Sequence, residues 1–162
     1  MNAAHLHLLI NHFPVMGGII ATLILLAGIV LKNETVKKVA YFVFVASALV
    51  SIPTHLSGER AEEIVENIKG IDENMIEHHE EKADFAMWSS IVTGIISLIA
   101  LYLSFKSSQL RGVLSFVVLM ASIITIFFVW GAGSTGGKIR HTEITNTAAP
   151  QPASANPEQD ND

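Results

Sequence analysis

Residues 6–31 read Leu-His-Leu-Leu-Ile-Asn-His-Phe-Pro-Val-Met-Gly-Gly-Ile-Ile-Ala-Thr-Leu-Ile-Leu-Leu-Ala-Gly-Ile-Val-Leu, without a single Asp, Glu, Lys or Arg. A helix that crosses the roughly 30 Å of bilayer hydrocarbon needs about 20 predominantly apolar residues. This stretch therefore predicts a membrane span. Three more windows free of formal charge follow, at 39–58, 85–105 and 112–137. Four windows predict four spans, drawn at about 6–31, 39–57, 85–105 and 112–134.

The whole composition agrees. Of 162 residues, 50% are hydrophobic and 15% charged, against about 25% charged in a soluble domain. Mean hydropathy is +0.44. These values exclude a soluble enzyme. With no cysteine, disulfides, thiolate metal sites, iron–sulfur ligation and covalent haem attachment are excluded within the chain. A net charge of −5 gives no footing for nucleic acid. Met1-Asn2-Ala3-Ala4-His5 carries no basic residue before the apolar run, so the first segment reads as a retained span and not a cleaved signal.

The predicted fold class is all-α: an integral membrane, antiparallel four-helix bundle over 1–141, with an extramembrane helical connection between spans 2 and 3. The links 32–38 and 106–111 hold five basic residues and one acidic residue. Basic residues in short loops favour the cytoplasm, which places both termini on the extracytoplasmic side. The 59–84 connection holds ten acidic and three basic residues. It reads as a solvated acidic loop, or as a lid over that end of the bundle. Ser57 is placed to cap a helix through Ala61–Ile68 ended by Gly70, and Asp72 to cap a second one running into span 3. Residues 142–162, rich in Pro, Ala, Asn and acidic side chains, read as a disordered polar tail. No internal repeat is legible.

Gly17, Gly18, Ala21, Gly28, Gly94, Gly131, Gly133, Gly136 and Gly137 lie where membrane helices approach through small residues. Pro14 and Pro53 sit near the same end of spans 1 and 2, where each removes a backbone donor.

The strongest signal is the placement of histidine. His5, His7, His12, His55, His78, His79 and His141 all map to one end of the bundle, under either orientation. His12, His55, His79 and His141 represent the four spans. Imidazole ligates iron, copper or zinc without a charge of its own. A polar ring within a membrane helix is costly unless it faces the interior and finds a partner. Imidazoles from different helices meeting near a bundle end suit axial ligation of haem b, with Phe13, Phe85, Met87 and Trp88 at the level of a porphyrin. The plainer reading is that the rings are interfacial anchors. His79-Glu80 is no zincin signature, because the second helical His is missing. Glu80, Glu81 and Asp84 serve either as acceptors orienting imidazoles or as solvated loop charges.

His7-Leu8-Leu9-Ile10-Asn11-His12-Phe13-Pro14 resembles the His-Pro-x-x-Val-His-Phe-Pro opening of a large family of bacterial four-helix membrane proteins of uncharacterised function. Related domains occur joined to Rieske-type or cytochrome c modules. The resemblance extends to Ser57-Gly58 with Ala61, to His79-Glu80 with Ala83, and to Gly136-Gly137 with His141. Leu8 departs from the usual Pro, which lets the first helix start earlier. The resemblance implies a multi-pass protein of the bacterial inner membrane, in a respiratory setting, with His7, His12 and His79 as site positions.

Three functions remain in view. One is a b-type cytochrome-like electron carrier, binding haem b through histidines drawn from His7, His12, His55, His79 and His141. It would pass electrons between the quinone pool or a respiratory-complex subunit and a periplasmic carrier docked on the acidic connection. The second is a copper, zinc or iron protein using His12, His55, His79 and His141. The third is a structural subunit with no cofactor. An electron carrier or subunit accords with the sequence better than a stand-alone enzyme, since no catalytic constellation is present.

Overall fold

The computed structural model describes residues 2–65, 73–106 and 109–140. Within them the chain is helical, with no strand. The elements are α1 (Ala3–Ile10), α2 (His12–Val30), α3 (Glu34–Val65), α4 (Glu73–Lys106) and α5 (Arg111–Arg140). Four rods, α1 with α2, then α3, α4 and α5, are each long and apolar enough to cross a membrane.

The helix borders follow local chemistry. Asn2 caps α1, its side chain accepting from the His5 N–H at 2.9 Å. Pro14 has no N–H to bond the carbonyl of Ile10 and crowds it, and the chain breaks between α1 and α2 at Asn11. The turn between α2 and α3 is tight. Lys32 takes a left-handed φ of 49°, and Asn33 Oδ1 accepts from the N–H groups of Thr35 and Val36. That cap is the local role of Asn33 in an Asn-x-Thr triplet.

One expectation is corrected. The connection after span 2 does not begin with a new helix capped by Ser57. Instead α3 runs unbroken from Glu34 to Val65, and the Ser57 hydroxyl bonds back to the Thr54 carbonyl at 2.7 Å. The expected helix leading into span 3 is present: α4 carries the acidic segment from Glu73 straight into the apolar stretch. At 1.5 Å per residue its 34 residues reach about 51 Å, well beyond the hydrocarbon thickness. The first three turns of α4 thus project past the apolar stretch. Gly70, Asp72, His141 and the 142–162 tail lie outside the described residues.

The rods pack in a ring: α2 on α3, α3 on α4, α4 on α5, and α5 more sparingly on α2. α1 leans on α3 and makes no comparable contact with α5. The interior is small or hydroxylic and the exterior is apolar. Ala21, Leu25, Ala40, Tyr41, Phe44, Ala100 and Val118 form the core, with Ser97, Ser104, Ser115, Ser122, Thr93 and Thr125 buried among them. In lipid the outer surface needs no polarity, so helices associate by close approach and by hydroxyl contacts. Thr93 and Thr125 meet at 2.8 Å, and Tyr41 and Ser115 at 2.9 Å. The expected close approaches occur where a Cβ would collide: Gly17 on Ser47, Gly94 on Ala48, and Gly28 on the Lys37 backbone at 2.9 Å. A Cβ on Gly18, Gly133 or Gly137 would meet nothing within 4 Å, so these three are not packing contacts.

Candidate functional site

Two histidines are held in the same way. On α1, His7 Nδ1 lies 3.0 Å from the Thr54 carbonyl and 3.3 Å from Ser57 Oγ of α3. On α4, His79 Nδ1 lies 3.0 Å from the Ala132 carbonyl and 3.1 Å from Thr135 Oγ1 of α5. The acceptor helix presents a carbonyl at position i and a hydroxyl at i+3. At i+4 stands a glycine, against which the ring lies flat. A Cβ on Gly58 would meet His7 Cε1 at 3.2 Å, and one on Gly136 would meet His79 Cε1 at 2.9 Å. At Gly136 a Cβ would force the ring to shift, and at Gly58 it would press the ring more tightly than an ordinary contact.

This cradle decides the tautomer. A carbonyl only accepts, so Nδ1 must carry the proton in each ring. Both hydroxyls already donate to main-chain carbonyls, Ser57 to Thr54 and Thr135 to Ala132, and are left as acceptors toward the imidazole. Each neutral ring therefore keeps an unprotonated Nε2, the nitrogen that can ligate a metal.

The two rings are near enough for a charge on one to be felt at the other. His79 precedes the uncharged window 85–105 and lies outside the membrane-spanning stretch. Burial lowers its affinity for a proton below the ordinary value of 6.5; the hydrogen bond to Ala132 opposes this, and a charged His7 adds to it. Below pH 6.5 the unfolded chain thus binds more protons at this residue than the fold does. Stability rises with pH wherever the unfolded state holds more protons. The fold should therefore lose stability as pH falls below about 6.5 toward the depressed native value. Thermal unfolding in detergent at pH 7.5, 6.5 and 5.5 checks this, and a slope unchanged in His79→Gln would assign it to other groups.

The remaining histidines are placed differently. His12 is exposed on the outer surface of α2, so its depth in the span does not bring it inside. His55 is turned to α4: its Nε2 lies 3.2 Å from Asp84 and 3.4 Å from Glu59. It clasps two helices and is engaged by carboxylates at the nitrogen a metal would need. Asp84 accordingly orients an imidazole, and is not merely a solvated charge. His5 and His78 are exposed, the latter 3.7 Å from Glu81. Among the described residues no group of three or more His, Asp or Glu is arranged to hold a metal. Phe13, Phe85 and Trp88 are over 60% exposed and face outward, with Phe85 stacked on Phe128. They are not walls of an interior pocket.

Space is distributed unevenly. The interior void, reached by Gly18, Ser47, Ser90, Thr93, Ser122 and Thr125, measures about 20 Å³, room for one water and no more. At the histidine end α1 packs mainly on α3, and a Cβ on Gly133 of α5 would meet nothing within 4 Å. A charged groove of about 560 Å³ opens outside α4 and α5 and shares Thr135 with the His79 cradle.

The sequence named both cradled rings, His7 and His79, but alongside His12, His55 and His141, and it offered Ser57-Gly58 and Gly136-Gly137 only as points of family resemblance. The signal was present as a hydroxyl followed by glycine late in two spans. Its meaning depends on which helix lies opposite.

Compared with known proteins, the chain matches no family model, no curated protein and no solved structure.

Proposed function

We propose that the protein is a membrane-embedded redox protein of the b-type cytochrome kind. The four rods form an antiparallel bundle spanning the bacterial inner membrane, with the histidine end and both termini on the extracytoplasmic side. Haem b is held by Nε2 of His7 and of His79. The observation that carries this reading is the matched anchoring of both rings, each with Nδ1 spent on a main-chain carbonyl and Nε2 left free of that bond.

The donor set fits haem. Two neutral imidazoles would ligate iron without adding charge, and the carbonyl bonds would raise their basicity. The interior void of about 20 Å³ would not take a porphyrin, so a haem would be held by His7 and His79 at the histidine end. When bound, haem supplies one-electron chemistry, and the protein supplies ligation, orientation and a low dielectric. Around it, Ser57 and Thr135 fix the tautomers, Gly58 and Gly136 fix the ring planes, and the His55–Asp84 clasp holds α3 to α4. Glu59, Glu73, Glu77, Glu80 and Glu81 gather at the same end, and a cationic periplasmic carrier is the partner their charge would steer.

The test is an absorbance spectrum of detergent-solubilised protein from haem-replete cells, oxidised and dithionite-reduced. The expected result is a red-shifted Soret band and a sharp α-band on reduction, as low-spin bis-imidazole iron gives. A colourless preparation containing copper would transfer the same two nitrogens to a bare ion. One with neither metal nor colour would leave a structural subunit.

A further inference from the structure

We infer that the bundle is an internal duplication, two copies of one helical hairpin related by a pseudo-twofold axis along the bundle, and that its ligand site is made where the copies meet, each giving one imidazole from an equivalent cradle.

The correspondence has a single register in each helix. In the first helices a shift of 72 residues carries His7 onto His79 and Phe13 onto Phe85. The same shift carries the buried Ala21, Leu25 and Gly28 of α2 onto the buried Thr93, Ser97 and Ala100 of α4. In the second helices a shift of 78 carries Gly58 onto Gly136 and Ser57 onto Thr135. It also carries the buried Ala40 and Phe44 onto the buried Val118 and Ser122. Eight of the positions lining the interior void are matched as well, Gly18 with Ser90, Phe44 with Ser122, Ser47 with Thr125 and Ala48 with Ile126, while Pro14, Val15, Thr93 and Val129 line it without their counterparts.

Helical periodicity alone would align one buried face with another under some shift. It would not make that shift also bring histidine onto histidine and the cradle glycine onto its counterpart. Both coincidences occur. Side-chain identity has meanwhile drifted: Ala21 with Thr93 and Gly28 with Ala100 exchange one small residue for another, whereas Leu25 with Ser97, Ala40 with Val118 and Phe44 with Ser122 differ in size.

The copies also differ. His55 and Asp84, clasped across α3 and α4, correspond to Gly133 and His12 of α5 and α2. Pro14, which breaks the first copy's leading helix, corresponds to Ala86, and α4 runs on unbroken.

The ligand consequence rests on the haem reading: iron on the axis meets two equivalent nitrogens, and neither copy alone has more than half a site. The duplication and the tautomers stand without it. Ser57 and Thr135 are then positioning residues with one role, and each is replaceable by the other's side chain.

The experiment uses the full chain in lipid nanodiscs with ¹⁵N-labelled histidine, first without haem and then titrated with haemin. Both His7 and His79 should show a protonated Nδ1 and an unprotonated Nε2. Gly58→Ala should move the signals of His7 and Gly136→Ala those of His79. Ser57→Thr and Thr135→Ser should leave both in place and bind haemin within about twofold of the parent. Ser57→Ala and Thr135→Ala should each weaken haemin binding by a similar factor, about 10–100-fold. A ring protonated at Nε2, or a cradle change that matters in one copy and not in the other, would overturn the duplicated site. Correct tautomers in a chain that takes no haemin would overturn the haem reading alone and leave the duplication standing.

Discussion

Replacing His79 with alanine, or His7 with alanine, should abolish the low-spin bis-imidazole spectrum and leave five-coordinate, high-spin haem. Removing a residue that only orients a metal ligand typically costs 10–100-fold in affinity. Removing the ligand itself should exceed that range, and the two variants should fall together because the cradles are alike. His12→Ala is the contrast. That ring is exposed on α2, and changes at such surface positions stay within about 0.5 kcal/mol, so binding should be unaltered within about twofold. Optical titration of the purified variants with haemin decides the matter. A spectrum that survives His79→Ala but is lost in His12→Ala would move the site to the outer surface of α2.

A comparably large effect is expected at Gly94, with no ligand involved. A Cβ there would collide with the Ala48 methyl group, where α3 and α4 come closest. Lipid gives these helices no hydrophobic drive to stay together, so the close approach itself is the attraction. Gly94→Ala should force the rods apart at an overpacking cost of about 1–3 kcal/mol and should lengthen the His55–Asp84 contact above it. Gly18→Ala should act in the opposite sense. Its Cβ meets open space, and exchanging glycine for alanine inside a helix gains about 0.5–1 kcal/mol. Unfolding by SDS titration in mixed micelles reads both changes. Equal effects would show that α3 and α4 are not held by this contact.

Helical class and the existence of four long apolar rods were legible in the sequence, because absence of charge over about 20 residues is a one-dimensional property. The gathering of histidines at one end was legible for the same reason. Their ranking was not. His12 was favoured for its depth in a span, yet depth fixes height along a helix and says nothing about azimuth. His7, one turn nearer the terminus, faces α3 while His12 faces outward, and the break at Asn11 before Pro14 separates the two. His55 stands within α3, ten residues before its end, and its Nε2 is engaged by Asp84, a residue 29 positions away in sequence.

The sequence by itself determined how many apolar rods there are and at which end the imidazoles stand, since these follow from the order of polar and apolar groups along the chain. Only the tertiary structure decided which rings are cradled and which nitrogen each one leaves free. The physical reason is that a cradle of carbonyl, hydroxyl and glycine on one helix has no meaning until a second helix is laid across it at the right height and rotation. That placement is settled by contacts between residues 47 to 56 positions apart.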